Sequence, residues 1–516
     1  MVRLRRTFLG ATFRKLPASL NLLRPSTHPT QDSGIVFLNF YLRKDLRRHC
    51  RPGRLPEIVS VGHHESHASM FFVSPFEDAT ILVMDGYGDD TATSAFVGVG
   101  NRLERKWQGP FFDSLGMVYT LITRHLGFEP FEEGTVMALA ACGENTLVDK
   151  MRDTVRLLDG GRFAMNKEYF SYDTHGMLRP FKPKFIELFG PPRKREEPIA
   201  DRHRDLARAL QTMAEEVVVH VARGLCRSLP SRNLCLTGGV ALNCVANARL
   251  LQDTDYRRIW VPPCASDTGA PLGSALWHYH QTLGRRRCFE LSHAFYGQQF
   301  GEGRIERALA AAGLRYHCIP EAQLLRRVAQ DLADGRIVGW FQGRFEMGPR
   351  ALGNRSILAD PRRPEMRDTL NAKVKKREPF RPFAPAVPIE RAAEFFEIDQ
   401  PDPFMTLAPR VRAGKRNLIP AAVHVDGTGR IQTVERSANP RYYGLIEEFG
   451  RLTGVPVLLN TSFNRKEPIV ATPEDAIACY LKSEMDVLVL GDFYTTDRNP
   501  TAEALASQRF DAAVAE

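Results

Sequence analysis

The sequence predicts an α/β protein made of two successive layered units, and three observations support this. Between residues 58 and 269, apolar strand patterns alternate with helix-period segments, the signature of helices layered on a sheet. Several of these strands end in Asp-Gly or Gly-Gly, where α/β folds collect their sites. From about residue 319 the alternation restarts with its own helix and strand. The domain reading is therefore a basic segment 1–57, a first unit 58–318 and a second unit 319–516. Hydrophobic content of 43% and charged content of 25% are ordinary for globular domains, and 516 residues suffice for two or three cores.

The first unit opens on His63-His64-Glu65-Ser66-His67, placed before an apolar strand, Ala79 to Met84, that runs into Asp85-Gly86-Tyr87-Gly88-Asp89. Histidines four apart share one helix face about one turn from each other, within reach of a single divalent ion. Two cap or surface histidines would give the same pattern. A second strand follows at Thr93 to Val99, then a polar and aromatic insertion between about 144 and 200. A long helix, Arg204 to Leu229, leads to the strand Asn233 to Leu236 and to Gly238-Gly239. Paired glycines at a strand end free backbone N–H groups to approach an anion, although a tight turn also uses them. After a further helix, Ile259-Trp260-Val261 runs into a loop carrying Asp267. Asp85 and Asp267 both stand just past a strand, where a carboxylate either holds a metal or caps a turn.

The second unit begins with a helix, Glu321 to Ala333, and a strand, Ile337 to Phe341. The loop that follows packs Arg344, Arg350 and Arg355 among glycines and a proline, and predicts an anion to hold three like charges together. Lys375 to Phe383 repeats the theme, with prolines stiffening a backbone that carries Lys375 and Arg381. Arg430 follows an Asp-Gly-Thr-Gly turn, and Ser462 and Asn464 lie past the strand Pro456 to Leu459. Solvated charge runs are usually Lys/Glu helices. Cations interleaved with Gly, Pro and Phe instead point to a phosphate or carboxylate pocket.

Net charge is +10, and residues 1–54 carry all of it, with 12 Lys and Arg against 2 Asp and Glu. The neutral remainder gives no argument for a nucleic-acid partner. The Arg-rich start reads as a basic surface helix and loop in preference to a transit peptide. No apolar run reaches the ~18 residues a membrane span needs. Nine cysteines without a CxxC pair predict free thiols and a cytoplasmic location.

The motifs HHESHA, DGYGD, EEGTVMALA, LTGGVALNCVAN, SDTGAPLG, FEMGPRALGNRSILADP, KVKKREPFRPFAPAV, HVDGTGRIQTV and LLNTSFN together resemble the NodU/CmcH-type O-carbamoyltransferases over about residues 58 to 500. The resemblance implies an actin/sugar-kinase/Hsp70-type (ASKHA) first domain and a YrdC-like second domain. It also implies ATP-dependent transfer of a carbamoyl group from carbamoyl phosphate, through carbamoyl-adenylate, to a small-molecule hydroxyl such as that of a secondary metabolite or sugar. On this resemblance His63, His67, Asp85 and Asp267 hold an iron-type divalent metal, and Gly238, Gly239 and Asn243 lie against the nucleotide. Arg350, Lys375, Arg381, Arg430, Ser462 and Asn464 take the phosphates, with Lys375 and Arg381 acting in catalysis. The family's opening β-hairpin with its His-Asp-Ser-Ala segment has no counterpart before HHESHA, so the first domain is expected to lack that hairpin and to use His64 as its base. Two alternatives follow: a homologue that forms the adenylate without transferring it, or a tRNA threonylcarbamoyl transferase. No nucleic-acid or membrane partner is expected, and a homodimer is left open.

Overall fold

The structure, a computed structural model, describes residues 46–48 and 57–498. The rest of the basic segment, and with it the expectation about the opening hairpin, lies outside the described residues.

Strand β1 (Asp78–Gly88) is the spine of the first unit. Its run Ala79 to Met84 is buried on both faces, so it needs cover on both sides and a partner at each edge. Strand β2 (Thr91–Val99) pairs with it antiparallel, from Asp78 opposite Val99 to Met84 opposite Thr93, and β3 (Arg102–Pro110) pairs antiparallel with β2. On the other side β6 (Asn233–Thr237) and β7 (Arg258–Trp260) add in parallel, giving the order β3-β2-β1-β6-β7. Strand β3 has no clear signal in the sequence. As an edge strand it carries Arg102, Glu104, Arg105 and Lys106, and has no apolar alternation to betray it.

Short helix α1 (His63–Ala68) precedes β1, with Phe71 and Phe72 packing on one face of the sheet. Helices α2 (Leu115–His125), α3 (Glu133–Ala140) and α4 (Asp201–Ser228) build the core on the other face. The insertion is a two-stranded ribbon, β4 (Val155–Leu158) with β5 (Arg162–Met165), followed by Phe170, Phe181, Phe185 and Phe189 stacked against that core. Helix α5 (Cys244–Asp253) follows β6, and α6 (Ala270–Trp277) packs on α1. There Gly273 meets the Ser66 carbonyl so closely that any side chain would collide.

The second unit is an eight-stranded mixed sheet in the order β12-β11-β13-β10-β9-β14-β15-β8. Its strands are β8 (His317–Cys318), β9 (Val338–Phe341), β10 (Arg355–Ala359), β11 (Ala384–Pro388), β12 (Gln432–Val434), β13 (Leu458–Ser462), β14 (Val487–Leu490) and β15 (Phe493–Thr495). The boundary expected at 318/319 moves back. Helix α7 (Glu302–Ala311) buries Ile305, Ala308 and Leu309 in this unit's core, and β8 pairs with β15. The opposite face is covered by α8 (Glu321–Ala333) and α9 (Pro440–Thr453), while α10 (Pro473–Lys482) joins the α7 side.

The units touch at the outer edge of β7. Ile259 N donates to Gln400 Oε1 at 3.0 Å, and Gln400 Nε2 donates to Ile259 O at 2.8 Å, so one side-chain amide stands in for a neighbouring strand. Among the described residues no helix is long and apolar enough to cross a membrane. The eight described cysteines are free thiols.

Candidate active site

Helix α1, the end of β1 and the turn before α6 bring His63, His67, Asp85 and Asp267 together, with one ligand atom from each within 4.8 Å of all the others. His63 Nε2 lies 2.8 Å from Asp85 Oδ2 and 3.2 Å from His67 Nε2, and His67 Nε2 lies 3.3 Å from Asp267 Oδ1. Metal bonds of about 2.0–2.2 Å would set neighbouring donors about 2.9–3.6 Å apart, and these separations fall close to that range. Two imidazoles and two carboxylates suit a borderline divalent cation. The cluster is buried at His67 and open at Asp267, whose side chain is 74% exposed. Burial works against a charge on His67, but hydrogen bonds to Asp267 and Asp85 outweigh it and lift its pKa to about 9. Asp85 shows the complementary shift: burial is overcome by His63 and His67, which hold its carboxyl well below the usual range.

Local structure fixes each group. Asp85 Oδ1 accepts from Gly86 N at 2.8 Å and Gly239 N at 2.9 Å, which turns Oδ2 toward the histidines. Gly88 lies against the His63 ring, where a Cβ would fall 2.0 Å from Cδ2.

Four expected site residues of the first unit are placed differently. His64, the expected base, turns into the core: Nε2 donates to Thr91 O at 3.1 Å and Nδ1 meets Ser94 Oγ at 2.7 Å. Burial pushes its pKa down to about 4, and neither ring nitrogen is open to an acceptor hydroxyl. Gly238 and Gly239 do not offer N–H groups to a bound nucleotide, because Gly238 N donates to Ala265 O and Gly239 N to the Asp85 carboxylate. Gly238 is required all the same, since at φ +89° its Cβ would collide with Met84 O. Asn243 caps α5 through Ala246 N at 3.1 Å and exchanges two amide hydrogen bonds with Gln211, which commits its side chain to the fold.

The second cluster lies between the units. A cavity of about 260 Å³ is lined by Arg350, Arg367, Arg377, Arg381 and Arg430, with Ser462 from β13 and a wall of α3 and α5 that includes Met137 and Cys244. The cations crowd one another. Burial, then the charges of Arg430 and Arg381, lowers Arg350 to about 9, and burial with Arg381 and Arg430 does the same to Arg377. Both keep their charge at pH 7 in a site that pays for it only if an anion enters. Arg350, Arg381, Arg430 and Ser462 thus converge as expected. Arg367 and Arg377 were missed, although Arg377 sits inside the Lys-Arg-Pro-Phe motif.

Lys375 does not line this cavity. Burial, then the charge of Arg377, drives its pKa well down, and Nζ donates to Ser462 O (2.6 Å), Ser462 Oγ (3.0 Å), Asn464 O (3.0 Å) and Asn464 Oδ1 (2.7 Å). It ties Asn464 and Ser462 into one rigid corner behind the cavity wall. The arginine loop also departs from expectation, because the anion that organises it is internal. Glu346 Oε1 accepts from the backbone N–H groups of Leu352 (2.9 Å), Asn354 (2.8 Å) and Arg355 (3.0 Å). Arg355 is fully buried, stacked on Phe341 and spent on backbone carbonyls, and exposed Arg344 bonds Gly297 O. Of the three, Arg350 alone reaches the cavity.

The comparisons agree with this two-part arrangement. The carbamoyltransferase N-terminus profile matches residues 23–276, starting inside the segment set apart above as basic, and the carbamoyltransferase C-terminus profile matches 329–497. An uncharacterised protein of Synechocystis sp. is 42% identical over 491 residues, covering 89% of this chain and 80% of its own. Nodulation protein NolO of Bradyrhizobium diazoefficiens is 39% identical, covering 85% of this chain and 79% of its own. For nodulation protein NolNO of Sinorhizobium fredii the figures are 40%, 86% and 65%. Among solved structures, the activator of 2-hydroxyisocaproyl-CoA dehydratase from Clostridium difficile covers 51% of this chain and 85% of its own at 16% identity and a TM-score of 0.28, too weak a likeness to argue from. With both profiles matched in order and relatives aligned across most of its length, this chain belongs to the carbamoyltransferase family and is a transferase enzyme.

Proposed function

We propose that the protein is an ATP-dependent O-carbamoyltransferase that activates carbamoyl phosphate as carbamoyl-adenylate in the second unit and passes the carbamoyl group to a small-molecule hydroxyl in the first. The observation that carries this reading is the inter-unit cavity, where five arginines line one small space. Adenylate formation spreads negative charge over transferring phosphoryl oxygens, and fixed cations in a dry pocket stabilise it. Atom balance sets the order. Water takes the phosphoryl group of carbamoyl phosphate and leaves carbamate, whose oxygen then attacks the α-phosphorus of ATP and expels pyrophosphate. Arg350, Arg381 and Arg430 bind and orient the phosphates, Ser462 lines the same wall, and Lys375 and Asn464 hold Ser462 in place.

In this reading the first unit is of ASKHA type and the second YrdC-like, and both lie in the cytoplasm. His63, His67, Asp85 and Asp267 would hold a divalent ion, for which iron is our choice. When bound, such an ion supplies Lewis acidity to a carbonyl or phosphoryl oxygen. The acceptor is a small-molecule hydroxyl, as on a secondary metabolite or sugar.

One observation favours a second reading, an adenylate-forming protein that does not transfer. The expected base, His64, is committed to Ser94 and Thr91. Pyrophosphate release from ATP and carbamoyl phosphate, measured with and without hydroxyl acceptors, separates the two. Carbamoylated acceptor supports the first, release without acceptor turnover supports the second, and no carbamoyl-phosphate-dependent release overturns both.

A further inference from the structure

The inter-unit cavity is rich in donors, and beside the oxygen acceptors of Asp426, Asn460 and Ser462 its lining includes His424, which carries a ring-nitrogen lone pair. His424 lies in the turn before Arg430, held by His424 N to Thr428 O at 2.8 Å. Its Nδ1 is 3.0 Å from Thr428 Oγ1, and Thr428 Oγ1 is 2.7 Å from Asp426 Oδ1. A hydroxyl has one hydrogen, and the carboxylate takes it, so Thr428 Oγ1 must accept from His424 Nδ1–H. The ring is thereby fixed as the Nδ1–H tautomer, with its lone pair on Nε2. That atom is buried and has no hydrogen-bond partner among the described residues, and Arg430 Nε beside it is in the same state. Burial outweighs Asp426 and pushes His424 down to about 4, which keeps the ring neutral at pH 7. Asn460 Oδ1 is a second buried acceptor on the lining, but the Tyr442 hydroxyl neighbours it.

A phosphate in this cavity gives guanidiniums what they need and gives Nε2 nothing. A carbamoyl group carries an oxygen acceptor and an N–H donor on one carbon, which complements an arginine next to a histidine lone pair. We propose that His424 is a specificity-determining residue, whose Nε2 accepts a hydrogen bond from the amino group of the carbamoyl substrate and so selects it over other acyl phosphates. The inference rests on the cavity being the carbamoyl-phosphate pocket proposed above.

Calorimetric titration of the full chain with carbamoyl phosphate and with acetyl phosphate, which has a methyl in place of the amino group, tests it. The wild type should prefer carbamoyl phosphate by about tenfold or more, because a site built to pair with a donor rejects the analogue lacking it. His424→Asn keeps an amide at the Nδ1 position and leaves nothing at Nε2, so the preference should vanish. His424→Gln, with an oxygen near the Nε2 position, should restore it. Thr428→Val frees the tautomer and should weaken the preference without touching the ring, which covers the case of His424→Asn failing to fold. Equal binding of both ligands by the wild type, or an undiminished preference in His424→Asn and Thr428→Val, overturns the role of His424. If the wild type also releases pyrophosphate with carbamoyl phosphate, the pocket assignment survives that result. If it binds neither ligand and releases none, the pocket assignment falls and takes the inference with it.

Discussion

His63 Nε2 and His67 Nε2 stand 3.2 Å apart, a separation that two bare lone pairs do not hold without a proton or a cation between them. Burial works against a charge on His67, but its hydrogen bonds to Asp267 and Asp85 lift it to about 9, so Nε2 carries a proton at pH 7, shared with those carboxylates. Metal uptake must therefore expel it. Calorimetry with Zn²⁺ or Fe²⁺ in buffers of different ionisation enthalpy should show about one proton released per ion at pH 7, with affinity rising as pH climbs toward 9. Asp267→Asn and His67→Ala should each lower metal content at least about tenfold.

Arg381 lines the cavity far along the chain from the four-residue cluster, and its pKa is lowered by burial. Arg381→Ala should cut carbamoyl-phosphate-dependent pyrophosphate release by about 10²–10³-fold while leaving bound metal unchanged. Loss of metal together with activity would show the two sites are not separable in this way.

Lys375 meets four oxygens of Ser462 and Asn464 and is 1% exposed. Lys375→Met removes the donor those four oxygens share, leaving Ser462 O only Asn464 N and Asn464 Oδ1 only Ser462 Oγ, so urea unfolding should show a loss of about 2–4 kcal/mol. A variant as stable as the wild type would refute this structural role.

His125 is buried between Phe181 and Phe185, with Nε2 donating to Gly190 O at 3.1 Å. Burial pushes its pKa from 6.5 down to about 4. The unfolded chain therefore binds a proton that the folded one refuses between these values. Stability is complete above pH 6.5 and is lost as pH falls toward 4, by roughly 3 kcal/mol for this group alone. Urea midpoints at pH 7.5 and 5 should differ in the wild type and differ less in His125→Gln.

What could be read from the sequence depended on spacing and on strand ends. A four-residue interval on α1 put His63 and His67 on one face, and strand ends marked Asp85 and Asp267 as candidates with a turn or cap as the alternative; that the four share one site was implied by the motif resemblance, not by local geometry. Orientation was less accessible. Nothing local tells His64 to turn inward while His63 faces the cluster, since that depends on Ser94 and Thr91, about 30 residues away. Paired glycines were read as freeing N–H groups for an anion or as a tight turn; the structure makes them a turn whose Gly239 amide serves Asp85, brought in from another strand. Likewise a run of arginines shows charge but not destination. Glu346, two residues past Arg344, already supplied the anion the loop required. His424 carries no signal in the sequence, because its tautomer is set by hydrogen bonds through Thr428 to Asp426.

The paired hydrogen bonds between Gln400 and Ile259 have a mechanical consequence. Swinging the halves apart like a jaw would strip an amide and a peptide group of their partners at once and bare an unprotected strand margin. Walls from both halves enclose the arginine chamber, and the clasp works with Ala408 N to Cys244 O and Asn247 Nδ2 to Thr406 O to resist its widening.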